Sequence, residues 1–529
     1  MKRRDVLKAS AALPVLAAAE GIEDTEAEKR RKKRKKRKKN AGRNFAGMNV
    51  VLFITDQQRK TMYFPPNWEA ENLKAATQLR RTGLTFENAF CTSCMCSPSR
   101  ATLFTGYFPA QHGVKYTLEE PDDPPPTFLQ SPLPLDFPNL ATMMTAAGYK
   151  VPYKGKWHLS KMIGDEWMPE DVDRYGFQRW NPPDAGANQD LDQFGGGLAD
   201  NDGRFVDDDG PAPLGKEGVL EYLESAAAQE QPFFLVVSLV NPHDVLSYPK
   251  EYKIGGYNDS DLNGNIGLPP TVNENLDSKP TVQKQFLALT AIGLGPLPND
   301  QEKVNYLNFY GNLMKESDDY LNEVLEKLKH ENLLDNTLVI NTSDHGEMGM
   351  SHGGLRQKSF NFYEETLRVP LTFSNPRLFK KAESSNAMVS HVDFLPTMAS
   401  LLNVPQSARQ PWQGVDYSRV VRKPQKHKQV QDYVVFTFDD FQSGQPNPPY
   451  PQPPNRIVSI RESRYKLAKY YDPAGNEPVQ WEMYDLKQDP TEVTNLAAPG
   501  FQRNKNQEKE FQRLQNTLAQ VEATRLQPL

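Results

Sequence analysis

The chain has 529 residues, 38% of them apolar, and a net charge of −5. That length exceeds one minimal core and fits a large domain with a smaller one, and the 43 prolines imply long, stiffened surface loops. No apolar run beyond the first residues can span a bilayer, which excludes an integral helical membrane protein. Residues 1–40 carry 15 Lys/Arg against 6 Asp/Glu, leaving the remainder acidic at −14, which excludes a general nucleic-acid binder. All three cysteines, Cys91, Cys94 and Cys96, lie within six residues, so a disulfide framework is excluded as well.

In chain order, Arg3-Arg4 precede the short, weakly apolar stretch Ala9–Ala19, which ends in small residues. Residues 1–19 resemble a twin-arginine export signal, an address rather than an anchor. The expected location is therefore outside the cytoplasm, periplasmic or extracellular, reached by a route that carries folded proteins. Residues 20–44 read as a spacer. Within it Lys29–Lys39 is an unbroken basic run of eleven residues, expected to be disordered and able to hold an anionic polymer without specificity.

The body divides into a larger domain, 45–425, and a smaller one, 426–529. Asn49–Ile54, Phe233–Val240 and Thr337–Asn341 are apolar runs fit for strands buried on both faces. Leu73, Ala76 and Leu79 keep helical spacing up to Gly83, as do Leu140, Met143 and Ala147 up to Gly148, and a long amphipathic helix is predicted over Lys303–His330. The alternation predicts an α/β fold with a largely parallel central sheet sandwiched by helices. Segments 119–134, 182–215 and 443–455 read as loops. Beyond them, Tyr465–Leu467 and Glu482–Tyr484 read as short strands of a small antiparallel sheet, with a helix near 505–525.

Each predicted buried strand runs into polar residues: Asp56-Gln57, Asn241-Pro242-His243 and Asp344-His345. Ligands gather outside the carboxyl ends of strands in open α/β sheets, so these groups are expected to converge. Two carboxylates, an amide oxygen and an imidazole make a plausible divalent-metal site. Taken singly, each also reads as a helix cap or a satisfied core group.

In Cys96-Ser97-Pro98-Ser99-Arg100, Pro98 suits the first turn of a helix, which sets Cys96 at an anion-favouring N-terminus. Arg100, one turn on, can hold an oxyanion or orient the nucleophile. This C-x-P-S-R run is similar to the signature of the sulfatases, formylglycine-dependent enzymes of the alkaline-phosphatase-like superfamily, and the resemblance runs from Asn49 to about Leu496.

The resemblance implies that Cys96 is oxidised to formylglycine by a maturing enzyme and that its hydrate attacks the sulfur of a sulfate ester. It implies a divalent metal, calcium or manganese, on Asp56, Gln57, Asp344 and His345, with the modified Cys96 completing the shell. Lys156 would stabilise the sulfuryl oxygens, His158 would act on the hydrate proton, and His243 would stand at the leaving group. Lys358 matches the last sulfate-binding lysine, a role Arg356 could share. Gln57 departs from the second acid of many sulfatases; with His345 it resembles the phosphonate and phosphodiester hydrolases of the same superfamily, which are the alternative reading. A non-catalytic binder of acidic polysaccharide is the second alternative. The ester itself, whether on a sugar, an aryl or an alkyl group, is not legible.

Overall fold

The computed structural model describes residues 42–119, 130–186, 191, 196–207, 217–230, 232–445 and 447–529. The export signal and the basic run lie outside the described residues, as do parts of the loops expected at 119–134, 182–215 and 443–455. From Phe45 to Leu529 the chain is one compact unit.

Its centre is a seven-stranded mixed sheet in the order β3-β4-β1-β5-β6-β2-β7. The strands are β1 (Asn49–Thr55), β2 (Gly83–Phe90), β3 (Tyr153–Gly155), β4 (Phe234–Ser238), β5 (Thr337–Ser343), β6 (Leu371–Ser374) and β7 (Glu383–Ser390). β1 lies parallel between β4 and β5, and β3 lies parallel to β4. Only β6 runs against its neighbours. β1 shows why the apolar runs are unbroken: Val50, Leu52 and Ile54 join one buried cluster while Val51 and Phe53 join another across the sheet.

The helices sit where the spacing puts them. Lys74–Arg81 precedes Gly83, and Leu140–Ala146 stops before Gly148, which has a positive φ of 86°. The long helix begins at Asp300, three residues earlier than its apolar periodicity, because Asn299 caps it by accepting from the Glu302 N–H. The second sheet is antiparallel, in the order β11-β10-β9-β8, from β8 (Tyr433–Phe438), β9 (Arg456–Glu462), β10 (Tyr465–Tyr471) and β11 (Gln480–Asp485). The helix Lys505–Thr524 packs on it through Leu514, Leu518 and Val521. The sheet is tied to the body by buried charge: Glu364 pairs with Arg461 at 2.9 Å and Lys466 at 3.3 Å, and Lys466 with Glu492 at 2.7 Å.

Candidate active site

Register builds the site. Thr55 lies opposite Ser343, Ile54 opposite Ser238, and Gly155 opposite Ser238, so β3, β4, β1 and β5 end side by side. Beyond those four strand ends follow Lys156, the Asn241–His243 turn (after Leu239 and Val240), Asp56-Gln57 and Asp344-His345. Gln57 and His158 both take positive φ, 70° and 58°, an uncommon conformation for side-chain-bearing residues. The fifth contributor is the helix Cys96–Thr105, every residue of which is buried. Ser97 and Ser99 fix its first turn: Ser97 Oγ accepts from the Leu118 N–H at 3.1 Å, and Ser99 Oγ donates to the Asp344 carbonyl at 2.6 Å.

One ligand atom each from Asp56, Cys96, Asp344 and His345 lies within 4.8 Å of the others. Their pairing is orderly. Arg100 Nε donates to Asp344 Oδ2 at 3.0 Å and Nη2 to Asp56 Oδ2 at 3.1 Å, while Lys156 Nζ sits 2.6 Å from the same Asp56 oxygen. Each Oδ1 lies towards His345 Nε2, at 3.5 Å for Asp56 and 3.7 Å for Asp344, whose Oδ1 also accepts the N–H groups of Gln57 and His345. His345 Nδ1 donates to the Gly346 carbonyl, so Nε2 carries the lone pair. The donor set of two carboxylate oxygens and an imidazole nitrogen fits a divalent ion. Arg100 also donates to the Lys156 carbonyl and Ser238 Oγ, so four of its five N–H donors are engaged by the surrounding protein.

Gln57 explains itself one layer out. Its Nε2 donates to Glu347 Oε2 at 2.6 Å, and its Oε1 accepts from Lys358 Nζ at 2.5 Å. Glu347 is buried and held by Tyr306 and by the Gly349 and Gln357 N–H groups. An acid at position 57 would face that carboxylate, so the amide occupies the place and the negative charge sits behind it. Lys358 thus joins the cluster. Arg356 does not: its guanidinium donates to the Thr290 and Gly295 carbonyls, at 3.0 and 2.6 Å, where it holds the end of the helix Thr281–Gly293.

Electrostatics follow from burial and three cations. Burial and then Asp56 push the Cys96 thiol up to about 11, against Lys156 and Lys358, so the unmodified group is a thiol and a poor nucleophile at neutral pH. Burial works against the Asp56 carboxylate, but the permanent cations beside it, Lys156 and then Arg100, outweigh it and hold Asp56 well below its usual range. Burial opposes the Lys156 ammonium, yet Asp56 and Cys96 raise it above its ordinary value. Burial, then Lys156, keeps His158 neutral; burial, then Lys358 and Lys156, does the same for His243. His158 Nε2 donates to the Leu118 carbonyl at 2.6 Å, leaving Nδ1 as its lone-pair nitrogen with no hydrogen-bond partner among the described residues. His243 Nδ1 is likewise unpartnered among them.

Cys96, Lys156, His158, His243 and Lys358 all line one cavity of about 290 Å³. A larger opening of about 520 Å³, around Lys60, Arg80, Glu87 and Arg368, contains none of them. Cys91 and Cys94 belong to the apolar core, and all three cysteines are free. Sequence reasoning missed Asp184, which accepts the N–H groups of Trp157, His158 and Gly186 and so shapes the His158 turn. It also missed Ser238 and Glu347. Ser238 lay within a predicted strand and was open to being read as a strand-end polar group; nothing in the spacing marks Asp184.

A mixed α/β sheet with nucleophile, cations and metal donors at its strand ends is the arrangement of an ester hydrolase of the alkaline-phosphatase-like fold. The sulfatase family model matches residues 48–404, and that of the N-sulphoglucosamine sulphohydrolase C-terminal region matches 352–524. The chain belongs to the sulfatase family and is a sulfuric ester hydrolase. It is similar to an ulvan-active sulfatase of Formosa agariphila, 27% identical over 89% of this chain and 79% of the relative. It is also similar to a choline-sulfatase of Rhizobium meliloti, 25% identical over 85% and 82%. Among solved structures, a 2-O GAG sulfatase superposes with a TM-score of 0.66 at 20% identity, covering 90% of this chain and 92% of that one. The phosphonate monoester hydrolase of Agrobacterium radiobacter does so at 0.61 and 20% identity, over 90% and 96%.

Proposed function

We propose that this is an exported sulfatase that cleaves a sulfate monoester with formylglycine made from Cys96. The observation that carries the reading is the meeting, in one cavity, of Cys96 with Lys156, Lys358, His158 and His243, above the paired carboxylates Asp56 and Asp344. Oxidised to formylglycine, residue 96 has an aldehyde whose hydrate supplies the nucleophilic oxygen. Asp56, Gln57, Asp344 and His345 would hold a divalent ion, with the modified residue 96 beside them; hard oxygen donors favour calcium, and the imidazole leaves manganese open. What such an ion supplies when bound is positive charge against the ester oxygens.

The chain's own groups do the rest. Lys156 and Lys358 hold the sulfuryl oxygens by charge. His158, with Nδ1 unprotonated, takes a proton from the nucleophile. His243 stands by the leaving oxygen, and the ester's negative charge, arriving between the two lysines, offsets the repulsion that adds to burial in keeping its ring neutral. Arg100 positions both carboxylates. The catalytic domain would span 45–425 and the smaller subdomain 426–529. Residues 1–19 direct export by the twin-arginine route, and the 29–39 run offers a landing place for an anionic polymer.

A phosphonate or phosphodiester hydrolase is the second reading, favoured by Gln57 and His345 and by likeness to the phosphonate monoester hydrolase. Metal-loaded protein assayed on matched sulfate, phosphodiester and phosphonate esters tests both, with mass spectrometry of the peptide around Cys96. Sulfate turnover and an aldehyde at position 96 support the proposal; preferred phosphonate turnover, or full activity with an unmodified thiol, refutes it. A chain starting at Ala41 should keep its turnover on a small ester, since the signal and basic run precede every element of the site.

A further inference from the structure

The basic groups of the active-site cavity are gathered around Cys96. Lys156, His158, His243 and Lys358 stand beside Cys96, and above them the described lining carries a single formal charge, the buried Glu119. The nearest arginine in sequence, Arg356, is turned into backbone carbonyls. The cations beside Cys96 suffice for one sulfate, and no described cation in the walls would meet a second anionic group.

Two elements give the walls an apolar lining. The helix Thr281–Gly293 presents Phe286, Leu289 and Ile292, the last 69% exposed. The connection between β8 and β9 brings Pro448, Pro449 and Pro451, rings with no N–H to offer. An exposed isoleucine at the mouth of a charged site offers apolar surface to a ligand, and a volume of about 290 Å³ suits a body of one or two rings. Resting on the sulfatase reading of this site, we propose that the leaving group is an uncharged hydrocarbon body bearing one sulfate, clamped between Phe286–Ile292 and the proline segment, rather than a multiply sulfated glycan.

The test compares kcat/KM for phenyl sulfate, 2-naphthyl sulfate, 3-carboxyphenyl sulfate and a multiply sulfated disaccharide, in the wild type and in Phe286→Ala/Ile292→Ala. Neither substituted residue belongs to the catalytic machinery. The wild type should gain about tenfold from phenyl to naphthyl and lose about tenfold when the ring gains a carboxylate. The double variant should erase the naphthyl gain and keep its rate on phenyl sulfate within about threefold, which also shows that it folds. Preference for the disaccharide or the carboxylated ring, or a naphthyl gain that survives the double substitution, overturns the inference while leaving the sulfatase reading intact. No turnover of any sulfate ester overturns both.

Discussion

His352 offers a test of the buried charge that joins the two sheets. Its ring lies against Tyr363, 3.6 Å between centroids, with Nδ1 2.7 Å from Glu274 Oε2 and Nε2 3.7 Å from Glu365 Oε1. Lys279 pairs with Glu274 at 3.0 Å on the far side. Burial alone would drive the ring neutral, but Glu365 and Glu274 overturn it and push its pKa from 6.5 up to about 9. The folded state therefore binds a proton that the unfolded chain has released by neutral pH. That stabilisation is complete below about 6.5 and is lost as pH rises through about 9, an amount of about 3 kcal/mol at 1.4 kcal/mol per pH unit. Chemical denaturation of wild type and His352→Gln from pH 6 to 10 measures it. The wild type should lose about 3 kcal/mol more than the variant across that range, and the variant should already be weaker at pH 6. Parallel pH profiles for the two proteins would show that the ring is neutral in the fold.

Four further outcomes are expected. Cys96→Ala should fold and lose sulfate-ester turnover entirely, whereas Cys94→Ser should keep its turnover and lose about 1–3 kcal/mol of stability for a hydroxyl placed in the apolar core; folded, active Cys96→Ala protein would sink the assignment. Arg100→Ala leaves Asp56 and Asp344 buried without their shared partner, a loss of about 3–5 kcal/mol in metal-free protein, part of which an excess of divalent ion should restore in a thermal-shift assay. Gln57→Glu sets a second carboxylate against Glu347, so metal content by elemental analysis should fall and then recover in Gln57→Glu/Glu347→Gln; strict additivity of the two changes would refute the coupling. Asp344→Ala should cost far more metal than either, because it removes a charge as well as a ligand, and unchanged metal content would mean the site is elsewhere.

What was legible in sequence was what has a period or a fixed spacing. β1, β4 and β5 announce themselves because both faces are buried, and the residues just beyond them fall into the site because parallel neighbours end together. β3 is three residues long, too short for any period to emerge, although it delivers Lys156. β6 is antiparallel and four residues long, so the mixed character of the sheet was hidden. Glu347 and Asp184 act through loop geometry, and which of the Arg100 donors the surrounding protein engages depends on groups far apart in sequence. The apolar walls were invisible for another reason: Phe286 and Pro449 lie 163 residues apart and meet only through tertiary packing.

The burial of the helix Cys96–Thr105 sets an order of events in time. Cys96 is 2% exposed, and the turn that would have to be grasped by another protein, Cys96 to Arg100, is buried at every position. A second macromolecule can reach that stretch only while it is still extended. On the proposed reading, oxidation of Cys96 would therefore belong to the nascent chain, ahead of folding, of metal loading and of export as folded cargo. Each molecule would then have one opportunity, and one that missed it would fold with the thiol sealed in. Folded thiol-form protein incubated with a maturing enzyme should stay unconverted until it is denatured; conversion without unfolding would break this sequence.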